Sequence, residues 1–133
     1  MPASSAPATP SASAGGTAIE VQVGDTVLGG RLGDTPTARA LVDQLPLTLT
    51  FSDLNGVEKI ALLPQGLPMD GMPEGDDPAP RDIGYYAPSG DLVLYYGDVG
   101  YWTGIARIGV VDSDLAVLAA QDEDVEATVR LAD

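Results

Sequence analysis

From Ile19 onward the chain is written in short runs of alternating apolar and polar residues, each cut off by glycine, proline or aspartate. Ile19, Val21 and Val23 alternate with Glu20 and Gln22, the period-two signature of a strand with one buried face. Gly24-Asp25 marks a turn, and Thr26 to Leu32 reads as the next strand. Leu47, Leu49 and Phe51 alternate with Thr48, Thr50 and Ser52. Asn55-Gly56 is a strong hairpin turn, after which Glu58 to Leu62 returns as a strand. Further strands are expected at about 83–87, 91–97 and 105–111, and Val125, Ala127, Val129 and Leu131 form a closing one. About eight short strands joined by glycine and proline turns must dispose of their sheet edges, which otherwise pair with other chains. An all-β barrel or sandwich is the expected class, and closure into a barrel removes the edges altogether.

One segment departs from period two. Ala38, Leu41, Val42 and Leu45 recur at helical spacing, with Asp34 or Thr35 as cap, Pro36 at the first helical position and Pro46 as the stop. A second, shorter helix is expected over 114–120 with Ser113 as its cap. Between strands, 63–81 carries Pro64, Pro68, Pro73, Pro78 and Pro80, the composition of a long loop, and long loops in compact domains tend to be functional. The length of 133 residues predicts one domain, here 19–133. Residues 2–18 hold only Ala, Ser, Pro, Thr and Gly, too little apolar surface to offset ordering, so 1–18 is expected to be a disordered tail. The tail lacks the basic start and apolar stretch of a signal peptide. Similar tails follow export signals or lipid anchors and also occur on cytoplasmic proteins, so the compartment stays open.

Composition removes several chemistries. Cysteine and histidine are both absent, which excludes disulfides, thiolate sites and any Ser-His-Asp or Cys-His mechanism within the chain. Six basic residues against twenty acidic ones give a net charge of −14, so nucleic acid and anionic membrane surfaces are poor partners. No apolar run reaches the roughly 20 residues of a membrane-spanning helix. Neither a cofactor nor a metal is expected. Asp70, Glu74, Asp76 and Asp77 could gather calcium but miss the EF-hand spacing, and they read, like Asp122-Glu123-Asp124, as solvated charge. Gly97, Gly100 and Gly104 make a glycine-rich loop without phosphate-binding spacing or a lysine.

Phe51 apart, every aromatic ring falls within 85–102: Tyr85, Tyr86, Tyr95, Tyr96, Tyr101 and Trp102. In a regular strand, adjacent residues face opposite ways. One tyrosine of each pair is therefore expected in the core, leaving Tyr86 and Tyr96 to form a concave wall with Tyr101 and Trp102. Rings with a polar handle suit peptide or small-molecule binding; the same rings can also simply stabilise the sheet by cross-strand pairing. Met69 and Met72 are candidate adaptable contacts over the barrel mouth, or loop anchors. Glu58 and Asp82 flank the long loop at strand ends, where a carboxylate can hold backbone amides or Arg81, or act as a base.

The order of these elements resembles the bacterial and archaeal cyclophilin-like fold proteins of unknown function. Thr37-Ala38 through Leu45-Pro46-Leu47, Glu58 after the turn, Asp82-Ile83-Gly84-Tyr85-Tyr86-Ala87-Pro88, Leu92-Val93-Leu94-Tyr95-Tyr96-Gly97 and Ile108-Gly109 carry the likeness over residues 19 to 132. It implies a closed cyclophilin-like barrel of about eight strands with one longer and one short helix. Prolyl isomerase activity is not implied. Cyclophilins use a strand arginine with a histidine nearby, whereas Val57-Glu58-Lys59-Ile60-Ala61-Leu62-Leu63 has no arginine and histidine is missing throughout. The expected function is a small-molecule or peptide binding module without catalytic residues. The alternative is a peptidyl-prolyl isomerase with a degenerate site using Arg81 or Arg107, since isomerisation needs little covalent chemistry. A structural or oligomerising domain is a third reading, and the oligomeric state stays open.

Overall fold

The computed structural model describes residues 16–132. In chain order the elements are β1 (Thr17–Val23), β2 (Thr26–Leu32), α1 (Pro36–Val42), β3 (Leu47–Leu54), β4 (Glu58–Leu62), β5 (Gly75–Asp76), β6 (Asp82–Tyr86), β7 (Asp91–Tyr95), β8 (Trp102–Thr103), β9 (Ile105–Val111), α2 (Ala116–Ala119) and β10 (Val125–Leu131). Eight of these strands close into an antiparallel barrel in the order β9-β2-β1-β10-β3-β4-β7-β6. The two short strands β5 and β8 pair separately, Gly75 with Thr103 and Asp76 with Trp102. The expected tail over 1–18 falls for the most part outside the described residues; Thr17 and Ala18 belong to β1 and pair with Leu32 and Arg31.

Alternation sorts each strand into an inner and an outer face. Val21, Val23, Leu28, Leu32, Leu49, Phe51, Ile83, Leu92, Leu94, Ala127 and Val129 point into one buried cluster. Burying a Val, Leu, Ile or Phe side chain fully is worth about 1.5–3 kcal/mol each, so this interior is the main source of stability. The β3–β4 turn follows from Asn55-Gly56, whose φ values of 57° and 69° are both left-handed, in a three-residue connection (55–57) between the partners Leu54 and Glu58.

α1 and the first half of the long loop cover one mouth of the barrel. The Thr35 side chain caps the helix by accepting from the Ala38 amide at 3.1 Å, and Pro36 occupies the first turn. Ala38 and Leu41 face the core, while Leu63 and Leu67 descend beside them from the loop. The Thr37 hydroxyl donates to the Pro68 carbonyl at 2.5 Å and ties loop to helix. α2 closes the other mouth with Leu115 and Leu118. Its start differs from expectation: the Asp114 carboxylate, not Ser113, accepts from the Ala116 amide at 3.0 Å, and the helix is only four residues long.

Beneath α2 a buried ammonium meets an exposed carboxylate. Lys59, fully enclosed on the inner face of β4, donates to the Gln121 carbonyl at 2.6 Å and sits 3.2 Å from the Asp53 carboxylate. The Tyr96 hydroxyl donates to that same carboxylate, and this bond above all holds the Asp53 carboxyl below its ordinary range. An ammonium without such partners would be expensive to enclose.

Candidate functional site

Loop 63–81 does not stay at one mouth. It leaves β4 at the α1 end and re-enters the barrel at Asp82, at the α2 end, so it must cross the outer wall. On the way, β5 pairs with β8 and the Gly104 amide donates to the Glu74 carbonyl at 2.9 Å. This ribbon packs along β9 through Gly75 and Asp76 and carries Trp102 with it. Gly75 is required at the crossing, because a Cβ there would come within 2.4 Å of the Trp102 carbonyl oxygen.

The base of the ribbon is anchored by Asp82. Its buried carboxylate accepts from the Ala79 amide and from Arg107 Nε, both at 2.8 Å. Arg107 also stands 3.8 Å from Asp76 in β5. The expectation that Asp82 ties down the loop through a backbone amide therefore matches the geometry, with Arg107 as the cation in place of Arg81. Arg81 instead reaches the Asp112 carbonyl at 3.1 Å.

Between the ribbon and the outer face of β4, β7 and β6 lies a cleft of about 470 Å³, within the range of small-molecule sites. Strand register explains its lining. Glu58 lies opposite Tyr95, Ile60 opposite Val93, and Asp91 opposite Tyr86, which in turn pairs with Ile105. These side chains share the outward face, so Ile60, Val93 and Ile105 form an apolar floor between Glu58 and Asp91. Leu54, Val57 and Val99 wall one end, and Asp98 and Trp102 overhang it. The Trp102 indole N–H donates to the Val99 carbonyl at 2.9 Å, which fixes the ring while leaving it 57% exposed.

Tyr95 is the deepest ring of the cleft. Its side chain is 1% exposed although it stands on the outer face. It lies across Gly84, where an added Cβ would sit 2.6 Å from Tyr95 Cε2. The glycine thus opens a trough in the barrel wall, and the ring fills it. Burial holds the Tyr95 phenol well above its ordinary pKa, with the nearby Glu58 charge adding to the effect. No described residue makes a hydrogen bond to its hydroxyl, and Tyr95 lines the cleft. Burial likewise raises the Glu58 carboxyl, and the charges of Asp53 and Asp91 raise it further.

Of the candidate residues, the cleft gathers Tyr86, Trp102 and Glu58. Tyr96 turns the other way, toward Asp53 and the Lys59 ammonium, which stands 5.9 Å from its ring centroid. Tyr101 lies on the opposite side of the ribbon from Trp102, its hydroxyl over Gly75. Met69 and Met72 pack against the core at the α1 mouth. Asp82 is buried at the ribbon's base, outside the cleft lining. The residues not foreseen are Tyr95, Asp91 and Asp98 with the apolar floor. The polar residue that opens β7 was the available signal: with Asp91 outward, period two sends Val93 and Tyr95 outward as well. The loop acids Asp70, Glu74, Asp76 and Asp77 stay apart, and among the described residues no group of three or more acids could hold a metal ion. No helix among the described residues is long and apolar enough to cross a membrane.

A family model described as the cyclophilin-like family matches residues 21–130. This chain belongs to the cyclophilin-like family. The likeness extends to the solution structure of the hypothetical protein AF2241 from Archaeoglobus fulgidus, which superimposes with a TM-score of 0.69 at 16% identity, covering 88% of this chain and 95% of that one. At that identity the match speaks for the fold alone. No curated protein matches the chain. The cyclophilin-like assignment agrees with the closed barrel of eight strands and two helices.

Proposed function

We propose that this cyclophilin-like domain is a binding module and that its site is the outer cleft under Trp102. The observation that carries the reading is a concave apolar floor of Ile60, Val93 and Ile105 roofed by an exposed indole held by its own hydrogen bond. Exposed rings over a preformed apolar trough supply contact area at low ordering cost, which favours a small molecule or a short peptide segment. No arginine lines the cleft. Arg81 and Arg107 are committed to Asp112 and Asp82 elsewhere, so nothing in the geometry favours isomerase chemistry over binding.

Trp102 is the sole tryptophan of the chain, so its emission reports directly on the site. Titration with a small-molecule fragment set is expected to perturb Trp102 fluorescence for a subset of compounds. Trp102→Ala should weaken those compounds by about 1–2 kcal/mol in a label-free assay, with a melting temperature within a few degrees of the parent. A large drop in melting temperature with unchanged affinity would mean the ring is structural and the site lies elsewhere.

A further inference from the structure

The lining of the cleft is one-sided in charge. Glu58, Asp91 and Asp98 are its charged members, and no lysine or arginine joins them. The chain's cations are engaged elsewhere. Lys59 is sealed inside the barrel, held by the Gln121 carbonyl and by the exposed Asp53 carboxylate. Arg39, Arg107 and Arg130 pair with Asp34, Asp82 and Glu20, Arg81 reaches a carbonyl, and Arg31 belongs to β2 on another part of the wall. Glu58 has no ion pair or hydrogen bond among the described residues. A half-buried carboxylate left without a counter-charge is costly, and it persists where something else supplies that charge.

A second and independent feature points the same way. Tyr95 is 1% exposed and its hydroxyl has no partner among the described residues. The hydroxyl is not sealed in like Gln44 Oε1, the one enclosed side-chain atom without a partner among the described residues, so it keeps some open surface through which it can be reached. The Tyr95 backbone stands across the strand pair from Glu58, its ring and hydroxyl lie over Gly84 on the other side, and both residues line the cleft. Together they offer a donor group two oxygen acceptors beside an apolar floor. The Trp102 and Tyr86 rings border the same space, and their π faces attract cations.

We propose that the ligand of this cleft is an organic cation: a protonated amine carried on an apolar body, its N–H groups bonded to Glu58 and the Tyr95 phenol oxygen and its body lying on Ile60, Val93 and Ile105. This inference rests on the binding reading above and goes further by fixing the ligand's charge. Anionic ligands are excluded by Glu58, Asp91 and Asp98, and neutral ones leave the carboxylate unpaired.

The test uses three probes of matched size: phenethylamine, 2-phenylethanol and phenylacetate, titrated into the full chain. Trp102 fluorescence and NMR shifts of cleft residues are the readouts. The amine is expected to bind at least ~10-fold more tightly than the alcohol, a margin of about 1.4 kcal/mol, and phenylacetate not at all. Glu58→Gln should erase most of that margin. Asp70→Asn, which removes one exposed charge from the loop outside the cleft, should leave it intact. Equal effects of the two substitutions would mean that the net charge of −14 attracts the amine non-specifically, and the inference falls. If the alcohol binds as tightly as the amine with shifts confined to the cleft, the inference falls while the binding reading stands. If none of the three perturbs the cleft, the amine proposal is overturned, and the broader fragment titration decides the binding reading separately.

Discussion

Tyr85 and Tyr95 make an instructive pair. They sit on neighbouring antiparallel strands, and both are nearly sealed from solvent, at 3% and 1% exposure. Tyr85 points inward, and its hydroxyl accepts from the Leu67 amide at 3.1 Å, so it stitches the long loop to the barrel. Tyr95 points outward into a trough opened by Gly84, and its hydroxyl is left without a partner among the described residues. Equal burial therefore conceals opposite roles. Tyr85 has its polar end satisfied by the fold, whereas Tyr95, at the proposed site, keeps that capacity free. Burial alone does not separate the two; the hydrogen-bond inventory does.

Four substitutions would break or sharpen this contrast. The largest effect is expected from Gly84→Ala. The new methyl meets the Tyr95 ring inside 3 Å, and forcing a ring out of a packed trough typically costs about 1–3 kcal/mol. Chemical denaturation should show that loss, and the displaced ring should fill the cleft and abolish probe binding. Retained binding would mean that Tyr95 does not shape the site.

Next come the two conservative deletions. Tyr85→Phe strands the buried Leu67 amide and should cost about 1 kcal/mol or somewhat more. Tyr95→Phe removes no bond within the fold, so denaturation midpoints should barely move while amine affinity falls. If both variants lose stability equally, the contrast between inner and outer ring is wrong.

The smallest effect concerns Glu58 and pH. Burial and the neighbouring Asp53 and Asp91 charges raise its folded-state pKa above the ordinary 4.5. Asp98, Tyr86 and Tyr95 border the same space, and Lys59, the next residue, faces the opposite side of β4. A raised folded-state value means that ionisation favours the unfolded chain. The penalty is absent below about 4.5 and appears as pH rises through the raised value. Glu58→Gln should accordingly raise the melting temperature slightly at neutral pH, and the gain should vanish in a scan below pH ~4.5. A gain that persists in acid would assign the effect to packing instead of charge.

Much of the fold was legible because period two and turn chemistry are local. Asn55-Gly56, the Thr35 cap and the inward set of β1, β3 and β10 follow from neighbours in sequence. The site was legible only in part. Tyr86, Trp102 and Glu58 were within reach, because their residue types suit a cleft and their strands could be placed. Tyr96 is expected outward because pairing of adjacent rings does not say which of the two faces in; the outward Asp91 sends Tyr95 to the cleft instead, and the chain beyond Tyr95 brings Tyr96 to Asp53. Tyr101 and Trp102 could not be separated without the ribbon, which depends on a pairing between residues 75–76 and 102–103 that no local signal announces. Met69 and Met72, expected over a barrel mouth or as loop anchors, pack against the core away from the cleft lining.

The sequence by itself determined that the chain is a set of short strands with a strong excess of acid, and that with no histidine and no cysteine its own side chains supply neither thiol nor imidazole chemistry. What only the tertiary structure decided is where charge and rings meet. Long-range register sets Glu58 against Tyr95, and a glycine on the neighbouring strand β6 gives that ring its bed. Those contacts are made by strand pairing and not by neighbours in sequence, and a one-residue change of register would turn each side chain to the other face of the wall.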